Sequence, residues 1–197
     1  MEKLSKKRLE LLYNEKKFSV HDISKISGYS ENKINYWLKK YNIKKRSISD
    51  AVYIKRNPLG DPFLAQTPKT MEQAFLFGMG LGLYWGEGTK SNKVSLRLGN
   101  TNSRLIKKFI EFLHGIYSIR KEKLKFGLQV FNDSDPNSAL RYWQHELGIP
   151  LTQFQKVIIS PSRGLGNYKK KNKNGVLTVY YHNRKLRNII CNELENL

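Results

Sequence analysis

The stretch Phe77-Gly78-Met79-Gly80-Leu81-Gly82-Leu83-Tyr84-Trp85-Gly86-Glu87-Gly88 decides the fold. It is apolar almost to its end, and Gly78, Gly82 and Gly86 recur one every four residues. In a helix that spacing puts the three on one face and leaves it nearly without side chains. Each glycine costs about 1 kcal/mol relative to alanine inside a helix. Three in register therefore need a reason, and the close approach of a second helix is the simplest. Glu87 follows the last of them and is the only acidic residue between Glu72 and Glu111. If the partner helix belongs to a second copy of the chain, two Glu87 carboxylates arrive side by side.

That lone acid stands in a strongly basic background. The chain has 197 residues, with 36 Lys and Arg against 16 Asp and Glu, for a net charge of +20. Such a charge favours a polyanionic partner, nucleic acid before membrane. No apolar run is long enough to span a bilayer, since glycines interrupt Phe75–Trp85. The opening Met-Glu-Lys-Leu-Ser-Lys-Lys has no apolar signal core, so a cytoplasmic location is expected. The single cysteine, Cys191, builds neither a disulfide framework nor a zinc cluster, and reads as a small buried hydrophobe.

Working toward the N-terminus, residues 47–70 read as a connector, with turn signals in Asn57-Pro58-Leu59-Gly60-Asp61-Pro62 and Thr67-Pro68 and room for a short helix near Ser49–Ile54. Residues 1–46 read as a small helical domain. Leu4, Leu9, Leu11, Leu12 and Tyr13 give a first helix of imperfect period. Ser19 with Asp22 three residues on gives a capping signature, Gly28 a helix stop, and Ser30 a second cap. Ile34, Trp37 and Leu38 form the apolar side of the next helix. Two short helices across a glycine turn, the second one basic, resemble a helix-turn-helix. That resemblance implies that Glu31, Asn32, Lys33, Asn35 and Tyr36 meet base edges. The following Lys44, Lys45 and Arg46 suit phosphate. A helical hairpin used only for packing is the plainer alternative, and His21 reads as a solvated first-turn residue.

Residues 71–197 read as an α+β domain. Val94, Leu96 and Leu98 alternate with Lys93, Ser95 and Arg97, and Leu124, Phe126, Leu128 and Val130 alternate with Lys125, Gly127 and Gln129. Both patterns predict half-buried strands with a basic outer face. Further strands are expected over Phe154–Ile159 and Val176–Tyr181. Helices are expected from Asn102, from Asp135-Pro136 up to Gly148, and from Asn183. The picture is a sheet with helices on one face and the other face open, on which Lys93, Arg97, Lys125 and Gln129 meet a DNA groove. The basic loop holding Arg163, Lys169, Lys170 and Lys171 reads either as a reach toward phosphate or as a solubilising hairpin tip.

Gly80-Leu81-Gly82-Leu83-Tyr84-Trp85-Gly86-Glu87-Gly88 resembles the LAGLIDADG motif of homing endonucleases, with Glu87-Gly88 at its closing acid and glycine. Glu stands where Asp is usual, and Trp85 where the motif often has an acid. The basic strand after the motif, the Asn100-Thr101-Asn102-Ser103 turn and Gly148-Ile149-Pro150-Leu151 extend the resemblance over most of residues 71–197. It implies a mixed α/β saddle over double-stranded DNA. The motif helices, through Gly78, Gly82 and Gly86, would form a homodimer, since a single motif copy is present. Glu87 would bind magnesium for phosphodiester hydrolysis. A basic residue near the scissile phosphate is also implied, with Lys156 the first candidate and Lys90 the second. The alternative is a catalytically inactive regulator that combines the same fold with a helix-turn-helix.

Overall fold

The computed structural model describes residues 4–162 and 172–196. The chain forms two compact units, Met1–Pro62 and Phe63–Leu197, so the division falls within the stretch read as a connector.

In the first unit, α1 (Lys6–Glu10) runs into a π-helical turn at Leu11–Glu15, followed by α2 (Val20–Ser27), α3 (Glu31–Lys40) and α4 (Ile48–Arg56). Leu4 lies before the Ser5 cap rather than in the helix, and it joins Leu9 in the core. It therefore holds the position of a hydrophobic staple, which is why the period of the first helix looked imperfect. Ser19 and Asp22 form a reciprocal capping box, and Gly28 ends α2 with φ 73°. The Ser19 hydrogen bonds hold the Asp22 carboxyl below its ordinary range. Ile23, Ile34, Trp37 and Leu38 are buried, with Tyr29 edge-on to Trp37 at 4.8 Å. By contrast, α4 buries none of its residues.

The second unit is α+β, with α5 (Met71–Glu87), β1 (Leu96–Asn100), α6 (Ser103–Tyr117), β2 (Lys125–Phe131), α7 (Pro136–Leu147), β3 (Ile158–Ser160), β4 (Val176–Tyr181) and α8 (Arg184–Glu195). The strand order is β1-β4-β2-β3. The β1–β4 and β4–β2 pairs are antiparallel and β2–β3 is parallel, so the sheet is mixed. Leu96, Leu98, Phe126, Leu128, Val130, Leu177 and Val179 share one hydrophobic cluster with Phe109, Phe112, Trp143, Leu186 and Ile190 of the helices. The opposite parity of the strands carries Arg97, Lys125, Gln129, Thr178 and Tyr180, none of which is buried. No helix among the described residues is long and apolar enough to cross a membrane.

Two strands differ from their sequence patterns. Val94 is exposed and Ser95 buried, the reverse of the expected alternation, and β1 begins only at Leu96. The cause is Asn92, whose Oδ1 accepts from the backbone N–H groups of Val94 and Ser95 and from the Ser95 hydroxyl, turning the chain before the ladder starts. Lys93 thus sits on that turn, not on the strand. The expected strand Phe154–Ile159 shrinks to Ile158–Ser160, with a 3₁₀ turn at Leu151–Gln153 and one bridge between Phe154 and Phe126. Here Gln153 is buried and its amide donates to the Lys121 and Leu124 carbonyls; the chain then touches β2 only at Phe154 and Gln155, and its ladder starts at Ile158.

Candidate nucleic-acid interface

Three surfaces collect the residues singled out from the sequence. The first is a groove of about 800 Å³ on the N-terminal unit, lined by Asn32, Asn35, Tyr36, Lys39, Lys44 and Lys45. Ser30 accepts from the Lys33 N–H and starts α3, so Asn32, Asn35 and Tyr36 fall at the second, fifth and sixth helical positions, on one side. Other candidates in this unit are held by neighbours. The Glu31 carboxylate meets His21 Nδ1 at 2.8 Å, so His21 is partnered rather than merely solvated. The Lys33 ammonium lies 5.5 Å from the Trp37 ring centroid. The Arg46 guanidinium donates to the Lys17 and Phe18 carbonyls and stacks 4.1 Å from the Tyr13 ring centroid. Arg46 therefore ties the end of the first helix to the segment after α3.

The second surface is the outer face of α5. A Cβ added at Gly78, Gly82 or Gly86 would meet nothing within 4 Å, whereas one at Gly80 would lie 2.1 Å from the Phe112 ring and one at Gly88 2.3 Å from Tyr84. The glycines thus divide into an inward pair, required by the packing of this chain, and an outward three that the chain's own packing leaves unexplained. Met71, Phe75 and Trp85 flank that outward ridge at 86%, 67% and 60% exposure. Glu87 closes it, exposed, and no described residue forms an ion pair with it. Among the described residues no group of three or more His, Cys, Asp or Glu is placed to hold a metal ion.

The turn after Glu87 is fastened from two sides. Lys90 Nζ donates to the Trp85 carbonyl in the last turn of α5, and the Arg187 guanidinium donates to the Lys90 carbonyl. Beneath it, burial above all pushes the Tyr84 phenol up to about 12, with Cys191 adding to the rise and Arg187 opposing it. Lys90 is thereby held in the turn that follows Glu87. Lys156 is not: it lies on the exposed approach to β3, while Gly88 bridges to Leu98 of β1. Strands β1 and β3 are opposite edges of the sheet, separated by three strand spacings of about 4.8 Å each.

The third surface is the open sheet face. Register aligns Arg97, Tyr180 and Lys125 in one row across β1, β4 and β2, and Gly99, Thr178 and Gly127 in the next. The Arg97 guanidinium sits 5.2 Å from the Tyr180 ring centroid, and the His182 ring stacks on the same tyrosine at 5.9 Å. Gln129 Nε2 donates to Ser160 Oγ at 2.8 Å. Thr178, Tyr180 and His182 were not among the sequence candidates. Thr178 and Tyr180 share the outward parity of β4, and His182 follows two residues after Tyr180, just past the strand. Arg163, Lys169, Lys170 and Lys171 lie outside the described residues.

Comparison with protein-family models, with curated proteins and with solved structures finds no match to this chain.

Proposed function

We propose that this chain is a site-specific double-stranded-DNA endonuclease that acts as a magnesium-dependent homodimer. The observation that carries the proposal is the outward glycine ridge of α5 ending in an exposed carboxylate. Covering Phe75 and Trp85 would remove on the order of 100 Å² of apolar surface at each, about 2–3 kcal/mol per side chain. A second α5 across a two-fold axis covers both and brings the two Glu87 residues together. The resemblance of Gly80–Gly88 to the LAGLIDADG motif supports the same arrangement, in which two sheets form one basic saddle. The N-terminal groove with Lys44 and Lys45 would add further contacts and sequence readout.

Glu87 suits magnesium chemically, because a carboxylate is a hard oxygen donor and this one stands at the negative end of a helix dipole. One Glu87 from each copy would hold the ion, with phosphate and water as the remaining ligands. Bound there, magnesium supplies Lewis-acid stabilisation of charge developing on the phosphoryl oxygens. Lys90 is the better placed of the two lysines to lend a positive charge near that phosphate, since it shares the turn with Glu87. Lys156, at the far edge of the sheet, contacts backbone away from the axis.

The test is incubation with randomised duplex DNA, with and without magnesium. Metal-dependent double-strand breaks that vanish in Glu87→Gln, with binding retained, are the expected result. Tight, salt-sensitive binding with no breaks would select the second reading, a regulator that keeps the dimer and does not cut. That reading draws on the N-terminal groove, which needs no metal to bind DNA.

A further inference from the structure

We propose that His182 completes an anion site with Arg97 and Lys125 on the open sheet face, and that a DNA phosphate bound there draws a proton onto its ring, so that affinity rises as pH falls. This inference rests on the DNA-binding reading above and adds to it a proton-linked control of the same surface.

The geometry comes from strand register. Arg97 and Lys125 stand on either side of Tyr180, one on each neighbouring strand. The Tyr180 ring spans the gap, because β2 carries glycine at the next inward position. A Cβ at Gly127 would lie 2.9 Å from Tyr180 Cε2, so the ring lies down against the sheet there. His182 follows Tyr180 by two residues, keeps the same parity, and stacks on its ring with only 18° between the planes. One aromatic plate thus holds a guanidinium and an imidazole, with an ammonium on the flanking strand.

Two cations act on His182, Arg97 from β1 and Lys125 from β2, and α8 begins just beyond it with Arg184 and Lys185. The Arg97 Nε donates to Ser95 Oγ and the Lys125 Nζ to the Thr152 carbonyl, a neutral acceptor in each case, so both keep their full charge toward an incoming anion. Without an anion, loss of hydration first, then Arg97 and Lys125, hold the imidazole of the surface residue His182 below its ordinary value. A phosphate at Arg97 and Lys125 reverses the sign of the local field. The protonated ring then becomes the favoured form, and it brings a third positive donor to the phosphate. Linkage fixes the direction: if the bound complex holds the proton more tightly than the free protein, binding takes up protons and strengthens as pH falls.

The experiment is fluorescence anisotropy of a labelled mixed-sequence duplex at fixed ionic strength between about pH 5.5 and 8, the range in which histidine titrates, for the full chain and for His182→Gln. NMR observation of the His182 ring, with and without the duplex, accompanies it. Wild-type affinity should rise by up to about tenfold per pH unit for each proton taken up, between the free and bound midpoints. His182→Gln should lose that component and show a correspondingly shallower slope. The His182 midpoint should move upward when the duplex saturates the protein. Equal slopes in the two proteins, or a midpoint that does not move, would overturn the proposal while leaving DNA binding intact. No duplex binding at any pH would instead remove the DNA reading itself, and this inference with it.

Discussion

Replacing Gly82 with alanine should push two measurable quantities in opposite directions. Within the single chain the new methyl meets nothing within 4 Å. The substitution then acts only through helix propensity and stabilises α5 by about 1 kcal/mol. For a unit of this size that corresponds to a rise of about 4 °C in Tm, read by a thermal melt at concentrations where the protein is dissociated. In the proposed dimer, each copy would carry a methyl into a ridge that works by lacking them. Overpacking of this kind costs about 1–3 kcal/mol. The dimer Kd should therefore rise by about tenfold to a hundredfold, read by sedimentation equilibrium. Gly80→Ala is the control, because its Cβ would lie 2.1 Å from the Phe112 ring and the fold itself must lose stability. Unchanged or tighter association of Gly82→Ala, or a parent chain that remains monomeric at every concentration, would refute the docking of two α5 helices through this ridge.

Three further outcomes follow from the same structure. Lys44→Gln and Lys45→Gln should each reduce the slope of log K against log salt by about 0.9 if each lysine meets one phosphate, with little change in Tm. Arg46→Ala should do the opposite: its guanidinium holds two carbonyls and the Tyr13 ring, so the N-terminal unit should lose about 2 kcal/mol in a denaturant melt while the salt slope stays nearly fixed. At alkaline pH the Tyr84 phenol is held up at about 12 against an ordinary 10.0, so the folded state keeps its proton longer than the unfolded one. Its contribution is therefore fully present below about pH 10 and is lost, by up to about 3 kcal/mol, as pH rises toward 12; Tyr84→Phe should remove that part of the loss in a Tm-against-pH series.

What was legible in the sequence was local. Ser19, Asp22, Gly28 and Ser30 act on residues within four positions of themselves, so the two helices of the N-terminal unit and the turn between them could be read directly. The same holds for Asp135-Pro136 and Gly148 around α7. The errors arose where one side chain redirected the backbone. Asn92 turned Val94 outward and Ser95 inward, and Gln153 reached two carbonyls about thirty residues earlier and shortened β3. Neither effect leaves a trace in hydrophobic period. At the candidate site, Glu87 was visible because it is alone in a basic stretch, and the structure finds it exposed. The ranking of Lys156 over Lys90 was not decidable from spacing, because it depends on β1 and β3 being opposite edges. His182 was passed over for a related reason: its neighbours Arg97 and Lys125 come from two other strands.

The ridge and the carboxylate make more sense as one device than as two. A net charge of +20 opposes the meeting of two copies, so a surface that joined them would have to be uncharged or negative. The exposed side of α5 meets that requirement along its length: Met71, Phe75, Gly78, Gly82, Trp85 and Gly86 carry no charge, and the exposed Glu72 and Glu87 at its two ends carry the opposite sign. In the proposed dimer two such faces would attract through apolar burial until the two carboxylates approached, where the like charges and the two helix ends would repel. A divalent cation would remove that last repulsion, and a polyanion would remove the repulsion between the basic sheets. Each unfavourable term left by docking α5 on its copy is thus of a kind that magnesium or DNA cancels. A helix that merely ended at solvent would leave the three outward glycines without a reason.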